Sequence, residues 1–394
     1  MVWKKIKEII KGKKNDEPEK TIPSPSENDL ESSNQPTIPE SVLIEANNTP
    51  WGVPVYDVRP TTQTMLSSSP DPAMATNAVS YNQEDGFAFF DQKPWIARSI
   101  QANLSFPIDG ALYDGPLFIP NTMEHKWAIY FIKNKMIFIR SWLRQVRVVA
   151  EVKQLQDHIS ITSITGAFLS DTEPQEFTIR ILDYLLRSHA MNLVFPAPIP
   201  TELDQDIGIW CMRSFGNLAM FATSHPIEST LEQPLRSHSL LHIAVARGDS
   251  AAVLEHLNAG VPIDLIASDG LTPLHWSLVQ QDNKMLSLLI EKGSPVDARS
   301  DTGATPLMNA VQSHNQNQID FLIEHGADVN AQDNRGFTAL HRAAEMGKAD
   351  LVYKLLENGA SANISAQGFT PKSLAENRNE ADALKIFTQF ENNT

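Results

Sequence analysis

Cys211 is the only cysteine in a chain of 394 residues, and with His125, His158 or His189 as base it could serve as a thiolate nucleophile. Its surroundings, Ile209-Trp210-Cys211-Met212, are apolar and favour a buried structural thiol instead, because burial keeps sulfur protonated. Glu202, Asp204 and Asp206 follow a proline-rich stretch and read most simply as a solvated loop. There is no metal-ligand spacing, Gly-rich phosphate loop or Gly-x-Ser-x-Gly turn, so no catalytic residue, metal site or cofactor is expected. One charge cluster stands out. Lys126, Lys133, Lys135, Arg140, Arg144, Arg147 and Lys153 are opposed over their interval only by Glu151. On adjacent strands they would form a basic face able to receive an acidic partner, an anionic headgroup or the chain's own acidic segment. The alternative is an ordinary solvated sheet face.

The elements that must carry these residues read as an α+β domain over 85–230. Trp127 to Ile132 and Met136 to Trp142 are aromatic and β-branched runs joined by Lys133-Asn134-Lys135, which suits a hairpin. Val146 to Val152 and Ile159 to Ile164 read as further strands, and Leu218 to Ala222 as a last one. Phe177, Ile181, Leu182, Leu185 and Leu186 recur at helical spacing after Pro174. The Arg140-Ser141-Trp142 strand end is distinctive, but this region resembles no known family.

Beyond residue 235 a phrase returns at a period of about 33 residues. It reads Ser239-Leu240-Leu241-His242, Thr272-Pro273-Leu274-His275, Thr305-Pro306-Leu307-Met308 and Thr338-Ala339-Leu340-His341, with a degenerate copy at Thr370-Pro371-Lys372-Ser373. Each full copy is followed by a second helical pattern ending at Gly260, Gly293, Gly326 or Gly359, then by a turn glycine at Gly270, Gly303, Gly336 or Gly368. Where the phrase is complete, Thr caps a helix, Pro fits its first turn and Leu enters the core. Two copies lack the interhelical Gly, having Gln281 and His314 in its place.

Residues 236–390 resemble the ankyrin repeat family, with four repeats and a degenerate C-terminal capping repeat. The resemblance implies an all-α solenoid, a phrase His that bonds backbone across the repeat boundary, and protein binding in a concave groove. The groove positions it implies are Ile243, Trp276, Asn309 and Arg342 on the helices. On the fingertips they are Ile266, Ser268, Asp269, Arg299, Asp301, Gln332, Asn334 and Arg335. Trp276 beside Ile266 would be the anchor if exposed; the competing reading tucks Trp276 against a neighbouring repeat. On the exposed reading, Trp276→Ala would spare stability and weaken partner binding.

The fold class expected is therefore multidomain: an α+β domain followed by an all-α ankyrin-repeat solenoid, behind a disordered N-terminal segment. Residues 1–14 carry six lysines against Glu8 and, wound as a helix, set Val2, Trp3, Ile6, Ile9 and Ile10 against Lys4, Lys7 and Lys11. That pattern suits contact with an anionic membrane or a partner, or else a solubilising tail. Residues 15–84 carry eleven acidic against two basic side chains and read as an acidic tether, then an extended arm from about Pro50. A net charge of -15 argues against nucleic acid as a partner. A lone cysteine and the lack of a long apolar run point to the cytoplasm, with peripheral membrane contact through 1–14. The expected role is a protein-binding adaptor or scaffold. The runner-up is a targeting array for an enzymatic or toxin-like α+β domain using Cys211 and a nearby His.

Overall fold

A computed structural model describes residues 42–392 except 64, 66–70, 82–83, 201–205, 218, 223 and 225–232. The expectations for residues 1–14, the first part of the acidic tether, Glu202 and Asp204 lie outside the described residues. The chain divides into two compact units. Of the described residues, one takes those up to Leu112 and from Pro116 to Leu235, the other those from Arg236 onward together with Tyr113–Gly115.

The first unit holds two sheets. The strands are β1 (Val42–Ile44), β2 (Val55–Asp57), β3 (Ser99–Pro107), β4 (Gly115–Phe118), β5 (Trp127–Ile132), β6 (Lys135–Arg140), β7 (Gln145–Gln154), β8 (His158–Gly166), β9 (Ala197–Pro198) and β10 (Met220–Ala222). The larger sheet has the order β3-β8-β7-β6-β5-β4 and the smaller β1-β2-β10-β9. The hairpin lies where the sequence places it, with Trp127 opposite Arg140 and Ile132 opposite Lys135. Lys133 and Asn134 both take positive φ, 47° and 61°, the twist a two-residue hairpin turn needs.

Strand β5 is apolar at every position because both faces of the large sheet are covered. Trp127, Ile129 and Phe131 enter one core with Ile181, Leu182 and Leu185 of the helix Gln175–Leu185. Ala128, Tyr130 and Ile132 enter another, with Tyr81 and Phe89. Trp51, Val53, Val55 and Val58, from the segment read as an arm, are buried in the first core, and β2 pairs with both β1 and β10.

In the second unit each repeat contributes two helices. The first helices are Leu240–Arg247, Pro273–Ser277, Pro306–Ser313, Ala339–Glu345 and Pro371–Arg378; the second are Ser250–Asn258, Lys284–Glu291, Gln316–Glu324, Ala349–Glu357 and Ala381–Glu391. The two copies without an interhelical Gly differ in how they turn. His314 adopts the left-handed conformation (φ 55°) and its ring meets Asp350 at 2.7 Å. The copy with Gln281 avoids that conformation: its first helix stops after five residues and the chain turns through right-handed Leu278. At one fingertip glycine is required for a different reason. Gly303 (φ 74°) lies against Asn334 of the next finger, where a Cβ would collide with backbone and side chain.

Tyr113–Gly115 belongs to this unit through two hydrogen bonds at its start. Ser237 Oγ donates to the Tyr113 carbonyl (2.7 Å) and the Leu240 N–H donates to that of Asp114 (3.0 Å). A fragment limited to 236–390 should therefore fold but leave one open N–H at its first helix. Hydrogen exchange should show Leu240–Arg247 exchanging faster than in the intact chain while Ala349–Glu357 is unchanged; equal protection would mean the two bonds contribute nothing.

Candidate functional site

The phrase residues build a buried ladder. The Thr272 hydroxyl lies 2.8 Å from His275 Nδ1, and His275 Nε2 donates to the Ala304 carbonyl of the following repeat at 3.0 Å. His341 repeats this, with Nε2 reaching the Phe369 carbonyl at 3.2 Å while Nδ1 accepts the Thr338 N–H at 3.1 Å. Burial pushes His242 down to about 3 and His275 down to about 4, and lowers His341. His275 and His341 thus join neighbouring repeats as neutral imidazoles.

The helix positions expected to face a groove are mostly closed. Ile243 is 4 % exposed, Asn309 6 % and Trp276 0 %, while Arg342 is half-buried. An exposed Trp276 is thus corrected by the structure. Its ring lies 5.3 Å from that of His238 and 5.5 Å from that of His242, both in the preceding repeat. Its Nε1 donates to Asp269 at 3.1 Å. Arg342, two repeats further on, likewise turns to its own finger, 3.5 Å from Asp333, and donates to Gln312 at 2.9 Å. Asp269 is thereby committed inward, and burial raises its pKa.

The fingertips divide. Ile266 and Ser268 are half-buried, with Ser268 Oγ 2.8 Å from His238 Nε2. Arg299, Asp301, Gln332, Asn334 and Arg335 are exposed. They are held in place across repeats: Arg299 donates to the carbonyls of Gly303 (2.9 Å) and Gln332 (2.6 Å). Asn334 Nδ2 donates to the Asp301 carbonyl at 2.9 Å, and Arg236 pairs with the Asp301 carboxylate. Arg335 lies 5.1 Å over the Phe337 ring. Arg236 and Asp333 were not anticipated; the acid pattern Asp333-x-Arg335 beside a turn glycine was the available signal.

In the first unit Cys211 is fully buried, its thiol pushed up to about 12 by burial and donating to the Gly216 carbonyl at 3.2 Å. This is the setting of a structural thiol. His189 is pushed down to about 3 by burial, His125 stacks edge-on against Phe118, and His158 lies 2.6 Å from Asp157. None of the three is hydrogen-bonded to Cys211. Asp206 caps the helix Ile207–Ser214 by accepting the Ile209 N–H at 3.0 Å.

The basic residues of the hairpin region do not form one continuous face. Lys126 is buried over Trp142 (4.2 Å), Arg144 lies over Tyr81 (4.7 Å) and pairs with Glu84, and Arg147 lies over Trp95 (3.9 Å). Lys133 approaches Phe90, and Lys135 meets Glu151 at 3.4 Å. In the Arg140-Ser141-Trp142 strand end, Ser141 Oγ donates to the His125 carbonyl and Trp142 Nε1 to that of Met123.

No helix of the described residues is long and apolar enough to cross a membrane. No curated protein matches the chain. Family models match part of it: residues 241–333 match ankyrin repeats (3 copies) and residues 322–367 match ankyrin repeats (many copies). Residues 241–367 are ankyrin repeats, and no family model matches the region before them.

Proposed function

We propose that the chain is an adaptor whose repeats stack as a solenoid and bind a protein partner through the fingertip side of a concave groove. Ankyrin repeats generally mediate protein–protein interaction. The observation that carries the surface is the exposed, polar row Arg299, Asp301, Gln332, Asn334 and Arg335, joined from one finger to the next by the bonds of Arg299 to the Gln332 carbonyl and of Asn334 to the Asp301 carbonyl. A preorganised row loses little side-chain freedom on binding. Arg342 forms its inner edge, and Ile266 supplies the apolar contact beside it. Ser268, Asp269, Ile243, Asn309 and Trp276 support the surface from behind.

Arg335→Glu combined with Gln332→Ala should lower partner capture by the intact protein at least tenfold, with the melting temperature within about 2 °C of the parent, as for surface changes. Capture of the same partner by parent and double variant alike would remove the fingertips from the reading. The buried free thiol of Cys211 supports a reducing, cytoplasmic setting. The opposed Lys and Ile stripes of residues 1–14 support a peripheral contact with anionic membrane. Deleting them should abolish sedimentation with phosphatidylserine vesicles, and equal sedimentation of both forms would reject it.

A further inference from the structure

A cleft of about 1180 Å³ opens in the first unit between the end of β6, β7, the segment from Phe168 to Arg180, and the helix Ile207–Ser214. Four arginines line it, Arg140 and Arg147 from the strands, Arg180 from the helix Gln175–Leu185 and Arg213 from the helix Ile207–Ser214. Only two carboxylates, Glu173 and Glu176, share the wall. Glu173 is buried and engaged elsewhere: it accepts the N–H groups of Phe168 (3.1 Å) and Leu169 (2.8 Å) and the Thr178 hydroxyl (2.6 Å). Glu176 is exposed.

The arginines have different states. Arg140 closes the end of the helix Ile207–Ser214, donating to the carbonyls of Ser214 (3.0 Å) and Arg213. Arg147 and Arg180 are the unsatisfied pair. Among the described residues, neither guanidinium has a hydrogen bond or ion pair, and Arg147 Nε, Arg180 Nε and Arg180 Nη2 are shut off from water as well. A charged donor that has lost water without gaining an acceptor is costly, so such groups are normally completed by an anion. Burial lowers the pKa of Arg140, Arg147 and Arg180; the Arg147 charge adds to the lowering at Arg140, while Glu173 opposes it at Arg147 and Glu176 at Arg180. Four guanidinium groups against two carboxylates leave the wall of the cleft net positive.

We propose that this cleft binds a phosphorylated small molecule, its phosphate seated between Arg147 and Arg180 and its body against the apolar wall of Phe177, Ile199 and Trp210. A phosphate offers three acceptor oxygens to two planar guanidinium forks, which a single carboxylate does not. The volume exceeds what inorganic phosphate needs and suits a metabolite-sized ligand. All the residues lining the cleft belong to the first unit.

Calorimetric titration of the full chain with adenosine monophosphate, inorganic phosphate and succinate tests this. Binding in the order adenosine monophosphate, then phosphate, then succinate is expected, with Arg147→Gln weakening the first two at least tenfold. Absence of binding by both phosphates at millimolar concentration, or succinate binding most tightly, would overturn it. Arg180→Met supplies a second readout: removing a half-buried guanidinium with two shut-off, unpaired nitrogens should raise the melting temperature without ligand and abolish the rise that adenosine monophosphate causes in the parent. A lower melting temperature for this variant without ligand, or an undiminished rise with it, would make Arg180 a structural residue and overturn the site.

Discussion

Trp276→Ala is expected to destabilise the repeat unit by about 3–5 kcal/mol, as much as Leu274→Ala two residues earlier. Both side chains are fully buried, and the indole is among the largest to be so. It fills the space between His238 and His242 of the preceding repeat and satisfies Asp269 through its Nε1. Truncation therefore opens a cavity at a repeat junction and strips a buried carboxylate of a donor. For a unit of this size the loss corresponds to a fall in melting temperature of roughly 6–15 °C. Chemical denaturation of parent, Trp276→Ala and Leu274→Ala chains makes the comparison. A Trp276→Ala midpoint close to the parent would restore the exposed-anchor reading; a fall matching Leu274→Ala leaves any binding loss in that variant as a consequence of unfolding.

Trp276 also shows where sequence reading runs out. The repeat phrase is legible because each residue answers a local demand: cap, first-turn proline, core leucine, left-handed glycine. The side chain one place after the histidine answers to the neighbouring repeat, and only the neighbour's His238 and His242 decide that it is covered. The hairpin Trp127–Arg140 was legible for the local reason, its turn residues and apolar runs. The pairing of Val55–Asp57 with Met220–Ala222 was not, because partners so far apart in sequence leave no mark in either segment's pattern. The basic cluster failed in the same way. Its run of lysines and arginines is plain, but whether Arg147 lies over Trp95 or faces solvent depends on residues brought in by other elements. Arg180 and Arg213, which complete the cleft, come from helices outside the run altogether.

Between pH 7 and pH 5 the repeat unit should lose about 2 kcal/mol of stability for each of His242 and His275, before carboxylates contribute. His275 is held neutral in the fold, its pKa down to about 4 because the ring is buried, against about 6.5 in the unfolded chain. His242 is pushed further down, to about 3, by burial and by the nearby His238. For groups depressed in this way the unfolded chain takes up the proton first, so stability is full above about pH 6.5 and falls as pH drops toward the folded value. The geometry gives the reason. Nε2 of His275 is committed to the Ala304 carbonyl, and Nδ1 of His341 accepts the Thr338 N–H, so a second ring proton would meet a donor there. Arg342 near His275 works in the same direction, while Asp333 near His341 opposes it and limits that histidine's share. Asp269, raised by burial, also opposes the loss, but only where carboxylates titrate. Midpoints of chemical denaturation measured from pH 7 to 5 should therefore decline steadily, and His275→Gln should be less stable at pH 7 yet show a shallower decline. A flat profile across that window would mean that the phrase histidines are protonated in the fold as readily as in the unfolded chain, and that the ladder joining the repeats does not depend on neutral imidazole.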